Sequence, residues 1–351
     1  MTAQPYGHGA WTEPGAFEVA PDVHRIPLPL PNDGLRAVNV YVLPAGPEPS
    51  DGCVLIDSGW ALAEARTLLE ECLGSIGYGL NDVKQFLVTH MHRDHYTLGI
   101  ELKRLFGAKV GIGLGEQPNI ERVLGNNDAA LLQLLPAWGA PHLAKIWAES
   151  YHPEERALGA KSYDLPTEWI ADGQHLAAGA RTLTAIETPG HTRGHLVFLD
   201  TEASVMFTGD HVLPHITPSI GLEPARQDSP LTAYLQSLRL MLSHADALML
   251  PAHGVPGGSV HHRVRELLDF HDIRLTHTLE AVQGGAGSPH DAARAIGWTR
   301  RNTPFDDLTT YNQVLATGET WAHLVVLAER GLVVESTDGE GKLTYEAPRE
   351  R

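Results

Sequence analysis

The stretch His90-Met91-His92-Arg93-Asp94-His95 decides how this 351-residue chain is interpreted. It directly follows the apolar run Phe86-Leu87-Val88, which has the composition of a buried strand. A strand that ends here delivers several side chains to one edge of a sheet. Imidazole and carboxylate groups are ligands that suit zinc and similar divalent ions. We therefore expect a tight loop after the strand that presents four metal ligands, His90, His92, Asp94 and His95.

Three later segments each place a ligand-type residue beside a glycine. They are Gly190-His191, Gly209-Asp210 and His253-Gly254, and each follows a predicted strand. Glycine permits the sharp backbone turn that such a strand end needs. The carboxyl ends of strands are also the usual location of sites in layered α/β proteins. The sequence therefore predicts a single metal centre assembled from four separate segments.

The sequence between these segments predicts alternating strands and helices, which is typical of mixed α/β layers. Helices are expected at residues 61–73, 98–106 and 231–242. Residues 115–165 interrupt this order, are rich in Leu and Ala, and predict an inserted helical element. Strands are predicted at residues 23–26, 37–43, 54–56, 86–88, 109–112, 182–186, 196–199, 205–208 and 247–250.

A change of composition at residues 254–258 predicts a linker, because this stretch is rich in Gly and Pro. Three helices are expected in the part that follows: one at about 260–282, one that begins after the N-cap candidate Ser288, and one at about 319–330. A hairpin is expected at 332–345. Helices followed by a small hairpin are typical of a winged-helix-like module. The predicted organisation is therefore an N-terminal extension at 1–22, a main domain at 23–258 and a winged-helix-like domain at 259–351.

The order His-x-His-x-Asp-His, a single His, an Asp and a final His resembles the metallo-β-lactamase superfamily over about residues 23–258. The segment Ile56-Asp57-Ser58-Gly59 matches a further motif of that family. The resemblance implies an α/β fold, a four-layer αββα sandwich. It also implies two divalent metal ions, with Zn²⁺ as the first choice and Fe or Mn as alternatives. On this resemblance the first ion binds His90, His92 and His191, the second binds Asp94, His95 and His253, and Asp210 bridges them.

A site of this type implies hydrolysis by a hydroxide that bridges the two ions. Asp94 and Asp210 are then the catalytic carboxylates, and Asp94 could also orient the nucleophile or accept its proton. Asp57 is expected to orient a ligand through hydrogen bonds. We expect three further histidines to surround the site rather than bind metal: His195, His211 and His215.

The site chemistry alone does not select a substrate, because it suits thioesters, esters, lactones, amides and phosphodiesters. Asp210 at the bridging position resembles glyoxalase II, lactonases and metallo-nucleases, whereas the best-known antibiotic β-lactamases have Cys there. The C-terminal part resembles the tail of intracellular β-lactamase-like proteins, which include endoribonucleases and fungal thioesterases that act on carrier-bound polyketides. The alternatives are therefore an acyl hydrolase, an endoribonuclease or phosphodiesterase, a β-lactam hydrolase, and a non-catalytic metal or ligand-binding protein.

Charge favours the acyl hydrolase acting on a small-molecule thioester, ester or lactone. The chain has a net charge of −17, and residues 259–351 contain ten Arg or Lys and fourteen Asp or Glu residues. Nucleic-acid binding proteins gain most of their affinity from Lys and Arg, so nucleic acid is not the expected partner. Three substrate-binding residues are predicted: Tyr96, as an oxyanion donor or a packing residue, and His215 and Trp138, on an apolar cleft wall with Trp147.

The remaining expectations concern location and assembly. Cys53 and Cys72 lie in apolar surroundings without a paired spacing and are expected to be buried, which fits a reducing compartment. The segment Met1–Pro21 lacks the pattern of a secretion signal, and no apolar run reaches the roughly 18 residues of a membrane span. We therefore expect a cytoplasmic protein, and the extra C-terminal domain suggests a homodimer.

Overall fold

The computed structural model describes residues 10–31, 33–125, 130–150 and 159–348. Two β-sheets pack face to face, and helices cover the outer face of each sheet. This is the four-layer αββα arrangement that the resemblance to the metallo-β-lactamase superfamily implies.

The first sheet has seven strands in chain order. Neighbours are antiparallel from β1 to β4 and parallel from β4 to β7. Strand β1 lies within residues 1–22, so the sheet begins earlier than the predicted domain boundary. Three of its four residues are partly buried and Glu18 is exposed, which explains the weak pattern. The strands are β1 (Phe17–Ala20), β2 (Val23–Pro29), β3 (Ala37–Pro44), β4 (Cys53–Ile56), β5 (Val83–Val88), β6 (Lys109–Gly113) and β7 (Glu168–Ile170).

The second sheet has five strands in the order β12-β11-β10-β9-β8. Strands β11 and β12 are parallel, and the other neighbours are antiparallel. The short strands β7 and β8 were not predicted, because three or four residues give too little alternation to detect. The strands are β8 (His175–Ala178), β9 (Arg181–Glu187), β10 (Leu196–Asp200), β11 (Val205–Gly209) and β12 (Leu248–Pro251).

Nine described helices of more than one turn surround the sheets. Three of them lie in the insert between β6 and β7, where a helical element was expected. The helices are α1 (Ala63–Ser75), α2 (Arg93–Phe106), α3 (Gln117–Leu124), α4 (Ala130–Ala137), α5 (Pro141–Ser150), α6 (Pro230–Met241), α7 (Val260–Gln283), α8 (Pro289–Ala295) and α9 (Thr310–Glu329).

Strict alternation along the central strands creates the layers. On β3, Val40 and Val42 pack with the side chains of α1 and α2, whereas Tyr41 and Leu43 face the second sheet. On β10, Leu196 and Phe198 meet them from the other side. Successive side chains of a strand point to opposite faces, so strands buried on both faces are apolar throughout.

The C-terminal region contains α7, α8, α9 and a hairpin of β13 (Val334–Thr337) and β14 (Leu343–Glu346), in the predicted order. Ser288 caps α8 by accepting a hydrogen bond from the Asp291 N–H, as expected. Side chains of α7 and α9 share one buried cluster with Met206 of β11 and Leu235 of α6. Residues 259–348 therefore pack directly on the outer face of the second sheet, and their winged-helix character stays a prediction.

Two smaller expectations concern exposure and membranes. Cys53 and Cys72 are both buried, as the sequence predicts. Among the described residues, no helix combines the length and apolar character that crossing a bilayer requires.

Candidate metal centre

The first ligand segment sits at the junction of β5 and α2. Strand β5 ends at Val88, and α2 begins at Arg93, so Asp94 and His95 lie in its first helical turn. The expected loop is therefore shorter than predicted, and the helix begins five residues earlier than its apolar periodicity indicates. A carboxylate in the first turn of a helix interacts favourably with the helix dipole, which stabilises Asp94 at this position.

Three histidine nitrogens converge at the first group of ligands. His90 Nε2 lies 2.9 Å from His92 Nδ1, and His191 Nε2 lies 3.2 Å and 3.0 Å from these atoms. Tetrahedral zinc with Zn–N bonds of about 2.0–2.1 Å separates its nitrogen ligands by roughly 3.3 Å. His191 Nδ1 donates to the Ser219 carbonyl, so in a neutral ring Nε2 carries a lone pair. The spacing and the tautomer both suit a shared cation.

The second group consists of Asp94, His95 and His253, whose ligand atoms lie within 4.8 Å of one another. Asp94 Oδ2 is 3.5 Å from His95 Nε2 and 3.5 Å from His253 Nε2. One carboxylate and two imidazoles form a donor set that zinc and related divalent ions accept.

Asp210 lies between the two groups, with one oxygen facing each. Its Oδ2 is 3.5 Å from His191 Nε2 and 4.0 Å from His90 Nε2. Its Oδ1 is 3.3 Å from His253 Nε2 and 3.7 Å from His95 Nε2. This is the geometry of a carboxylate that could bridge two ions.

Buried polar atoms without partners test whether these residues fit a metal. Within the described ranges, Nε2 of His95, Nε2 of His253 and Oδ1 of Asp210 are buried and have no hydrogen-bond partner. An unsatisfied buried polar atom costs about 1–3 kcal/mol, so three in contact need an explanation. All three point into the space between the ligand groups, and a divalent cation there would satisfy them together.

The outer nitrogens of the two histidines in the second group donate hydrogen bonds to other parts of the protein. His95 Nδ1 donates to Asp57 Oδ2 at 2.9 Å, and His253 Nδ1 donates to the Ala37 carbonyl at 2.8 Å. Asp57 also accepts from the Thr89 N–H at 2.8 Å. Such contacts fix the ring orientation and leave the opposite nitrogen for a metal. The structure thus places Asp57 behind a ligand, where the sequence interpretation expected it.

The electrostatics of the site favour a cation. Burial, together with the neighbouring histidines, holds the pKa of His90 well below its ordinary value and lowers the pKa of His92 to about 3. Burial opposes ionisation of Asp94 and Asp210, but the surrounding histidines outweigh it and lower the pKa of both carboxyl groups. The first ligand group therefore presents neutral imidazoles, and the two carboxylates beside it are charged.

His95 differs from the histidines of the first group. Burial lowers its pKa, but the nearby carboxylates Asp94, Asp57 and Asp210 outweigh burial and raise the pKa well above the ordinary histidine value. Because three carboxylates surround the His95 ring, its position favours positive charge. This is the same conclusion that the unpartnered atoms support.

Two of the predicted substrate residues, Tyr96 and Trp138, are buried in the protein. Tyr96 is fully buried and its hydroxyl donates to the Asp164 carbonyl at 2.7 Å, so its proton is not available to an oxyanion and packing is its role. Trp138 is also fully buried and stacks on Trp321 of α9 at 5.4 Å. Full burial and the stacking contact favour a core role for Trp138 over the predicted cleft wall.

The remaining predicted residues surround the site. His215 is exposed on the loop after Asp210, and its carbonyl accepts from Arg300. His195 is buried and its Nε2 accepts from the Asp210 N–H at 3.1 Å, while His211 is buried beside Tyr234. Trp147 is partly buried and stacks on Tyr311.

Sequence reasoning missed a second buried polar cluster beside the site. It joins Glu116 and Asn119 to Glu223, on the loop before α6, and reaches the residue after His191. These residues match no motif and lie far apart in the chain. The sequence feature that points to this cluster is the set of glycines at 113, 115 and 194, because the close backbone contact here leaves no room for side chains.

Comparison with known proteins agrees with this geometry. The family model described as the metallo-beta-lactamase superfamily matches residues 33–253. An atrochrysone carboxyl ACP thioesterase of Aspergillus fumigatus is 26% identical over 257 residues, which cover 71% of this chain and 61% of that protein. The chain thus spans about three fifths of that relative's length. A probable metallo-hydrolase of Bacillus subtilis is 26% identical over 259 residues, covering 70% and 75% of the two chains.

Two solved structures resemble nearly the whole chain. A metallo-beta-lactamase family protein from Thermus thermophilus has a TM-score of 0.77 at 25% identity, covering 94% of this chain and 100% of that one. A beta-lactamase domain protein from Burkholderia ambifaria has a TM-score of 0.80 at 26% identity, covering 95% and 94%. Motif order, fold and site geometry lead to the same conclusion: the chain belongs to the metallo-β-lactamase superfamily.

Proposed function

We propose that this protein is a dinuclear metal-dependent hydrolase of small-molecule acyl substrates, with thioesters as the first choice and esters and lactones as alternatives. The observation that carries the proposal is Asp210, whose two oxygens face two separate ligand groups at 3.3–4.0 Å. Bound divalent ions, most readily zinc, lower the pKa of water towards neutrality and polarise a carbonyl oxygen.

The protein's own groups divide the remaining tasks. Asp210 lies between the two ligand groups and fixes their relative position, and its side chain is only 8% exposed. Asp94 is 15% exposed, so it borders the cleft and can orient a nucleophilic water or accept its proton. The Asp57 contact keeps His95 in one tautomer throughout the reaction. These roles suit attack on a carbonyl carbon.

Two further observations support an acyl substrate. Among the relatives, the atrochrysone carboxyl ACP thioesterase is named for cleaving a thioester. The net charge of −17 makes the surface unfavourable for a nucleic-acid backbone. We therefore place thioester hydrolysis ahead of RNA or phosphodiester cleavage.

A hydrolysis panel on zinc-loaded protein tests the proposal. It compares acetyl-coenzyme A, an acyl homoserine lactone, single-stranded RNA and a chromogenic β-lactam. The Asp94→Ala variant removes a ligand, and Asp269→Asn, on the exposed face of α7, is the matched control. We expect metal-dependent turnover of the thioester or the lactone that is lost only in Asp94→Ala. RNA or β-lactam cleavage without acyl hydrolysis would refute the proposal.

A further inference from the structure

The Glu116 side chain is a carboxylate with no exposed surface. Glu116 ends the single helical turn Leu114–Glu116, between strand β6 and helix α3. Burying a charged group is expensive unless it is compensated by hydrogen bonds. The position of its partners shows what this carboxylate holds.

One oxygen of Glu116 reaches the segment that carries His191. The hydroxyl of Thr192, the residue directly after that ligand, donates to Glu116 Oε1. Asn119 Nδ2 donates to Glu116 Oε2 at 2.8 Å and to Glu223 Oε2 at 2.7 Å. Glu223 in turn accepts from the Arg193 N–H at 2.9 Å. Two buried carboxylates therefore hold the residues that follow His191.

The same carboxylate also reaches the segment between the other two ligands of the first group. The backbone N–H of Met91 lies near the Glu116 carboxyl group and favours its charged form, which lowers the pKa of Glu116 against the effect of burial. Met91 is buried and lies between His90 and His92 in the chain. Glu116 is thus hydrogen-bonded to the segment that carries His191 and lies beside the segment that carries His90 and His92.

The backbone around Glu116 leaves little room for adjustment. A Cβ atom at Gly194 would lie 2.1 Å from the Glu116 nitrogen, and one at Gly113 would lie 2.1 Å from the Gly194 oxygen. Both contacts are far closer than any side chain tolerates, so the segment after His191 lies directly on the turn before Glu116. The contact is rigid as well as polar.

We infer that Glu116 is a positioning residue of the first metal site, which holds Met91 and Thr192 so that His90, His92 and His191 converge. The inference rests on the metal centre proposed above but not on the substrate. Because Glu116 touches no ligand atom, it acts through the two segments. Its removal should loosen the first group and leave Asp94, His95 and His253 in place.

The Glu116→Gln variant tests this with two single-site backgrounds. His253→Ala disables the second group, so zinc competition against a chelator reports the first site, and His90→Ala disables the first group and reports the second. Loss of an outer contact of this kind typically weakens metal binding about 10-fold to 100-fold. We expect that loss in the His253→Ala background and less than about a twofold change in the His90→Ala background. Glu121→Gln, an exposed glutamate on α3, is the matched control.

Equal weakening in both backgrounds, or unchanged affinity in the His253→Ala background, would overturn the inference. Thr192→Val keeps the side-chain shape and removes one hydrogen-bond donor to Glu116. It replaces Glu116→Gln as the test if that variant does not fold. We expect the same selective loss of zinc affinity at the first site, but a smaller one. The readout is metal affinity rather than turnover. Selective loss together with an inactive substrate panel would therefore refute the proposed function and leave this inference standing.

Discussion

The Nδ1 atom of His95 lies 2.9 Å from Oδ2 of Asp57, two residues that are 38 positions apart in the chain. This contact determines which nitrogen of the His95 ring faces the second ligand group. Asp57 reaches it from the end of strand β4, with a backbone φ of 59° that few non-glycine residues adopt. A conformation of this kind persists where the surrounding contacts enforce it.

Replacing Asp57 by Asn should weaken metal binding at the second site by about 10-fold to 100-fold. The amide keeps the side-chain shape but no longer presents a charged acceptor to the His95 Nδ1–H, so the ring loses its fixed orientation. Zinc competition in the His90→Ala background measures the effect, with Asp269→Asn as the control. Unchanged affinity would show that the contact does not orient the ligand.

The loop after Asp210 is held by the C-terminal region. Arg263 of α7 donates from Nε to the Leu213 carbonyl at 2.7 Å and from Nη2 to the Ile216 carbonyl at 3.1 Å. Charged hydrogen bonds contribute about 1.5–3 kcal/mol each. We expect Arg263→Gln to raise KM at least about 10-fold with a smaller change in kcat, because the loop directly follows the ligand Asp210. Arg265→Gln is the exposed neighbouring control, and a pure kcat effect would contradict the assignment.

Trp138 should affect stability rather than substrate binding. It is fully buried against Trp321 and Gly318 of α9, so Trp138→Ala is expected to lower the unfolding free energy by about 3–5 kcal/mol. Denaturant titration measures this loss, and KM of the folded fraction should stay unchanged. A raised KM at unchanged stability would restore the cleft-wall interpretation.

A buried histidine pair predicts acid sensitivity. His271 Nδ1 and His323 Nε2 lie 3.2 Å apart between α7 and α9, near Arg274, Glu319 and Tyr234. Burial lowers the pKa of His323 to about 3 and holds that of His271 well below 6.5. The folded protein keeps both rings neutral, while the unfolded chain binds protons below about pH 6.5.

The unfolding free energy should therefore fall as pH decreases from about 6.5 towards 3, by up to about 1.4 kcal/mol per pH unit for each histidine. The variant His323→Gln should show a shallower slope in this window. Denaturant titrations at pH 7, 6 and 5 measure the slope, with the exposed His262→Gln as control. Parallel slopes for wild type and His323→Gln would exclude this pair as a source of acid sensitivity.

The metal ligands could be found from sequence because their chemistry restricts residue types and spacing. His-x-His-x-Asp-His after an apolar strand leaves few alternatives, and the structure brings its four candidate residues together with His191, Asp210 and His253. The residues themselves predicted mixed α/β layers, and the two-sheet sandwich was expected from the family resemblance. Strands β3 and β10, which are buried along nearly their whole length, fit that sandwich.

Tertiary context decides the features that the sequence did not reveal. Tyr96 directly follows a ligand in the sequence and Trp138 lies in the helical insert, and only three-dimensional packing shows that both are buried in cores. Glu116 becomes significant through Thr192 and Met91, which are 76 and 25 positions away in the chain. A local pattern carries no information about such distant partners.

The most direct test of the central claim is anomalous diffraction at the zinc edge from crystals of the zinc-loaded protein. The account predicts two ions about 3.5–4 Å apart, with one oxygen of Asp210 bound to each. The first ion should contact His90, His92 and His191, and the second should contact Asp94, His95 and His253. A single fully occupied ion, or two ions with Asp210 bound to only one of them, would contradict the account.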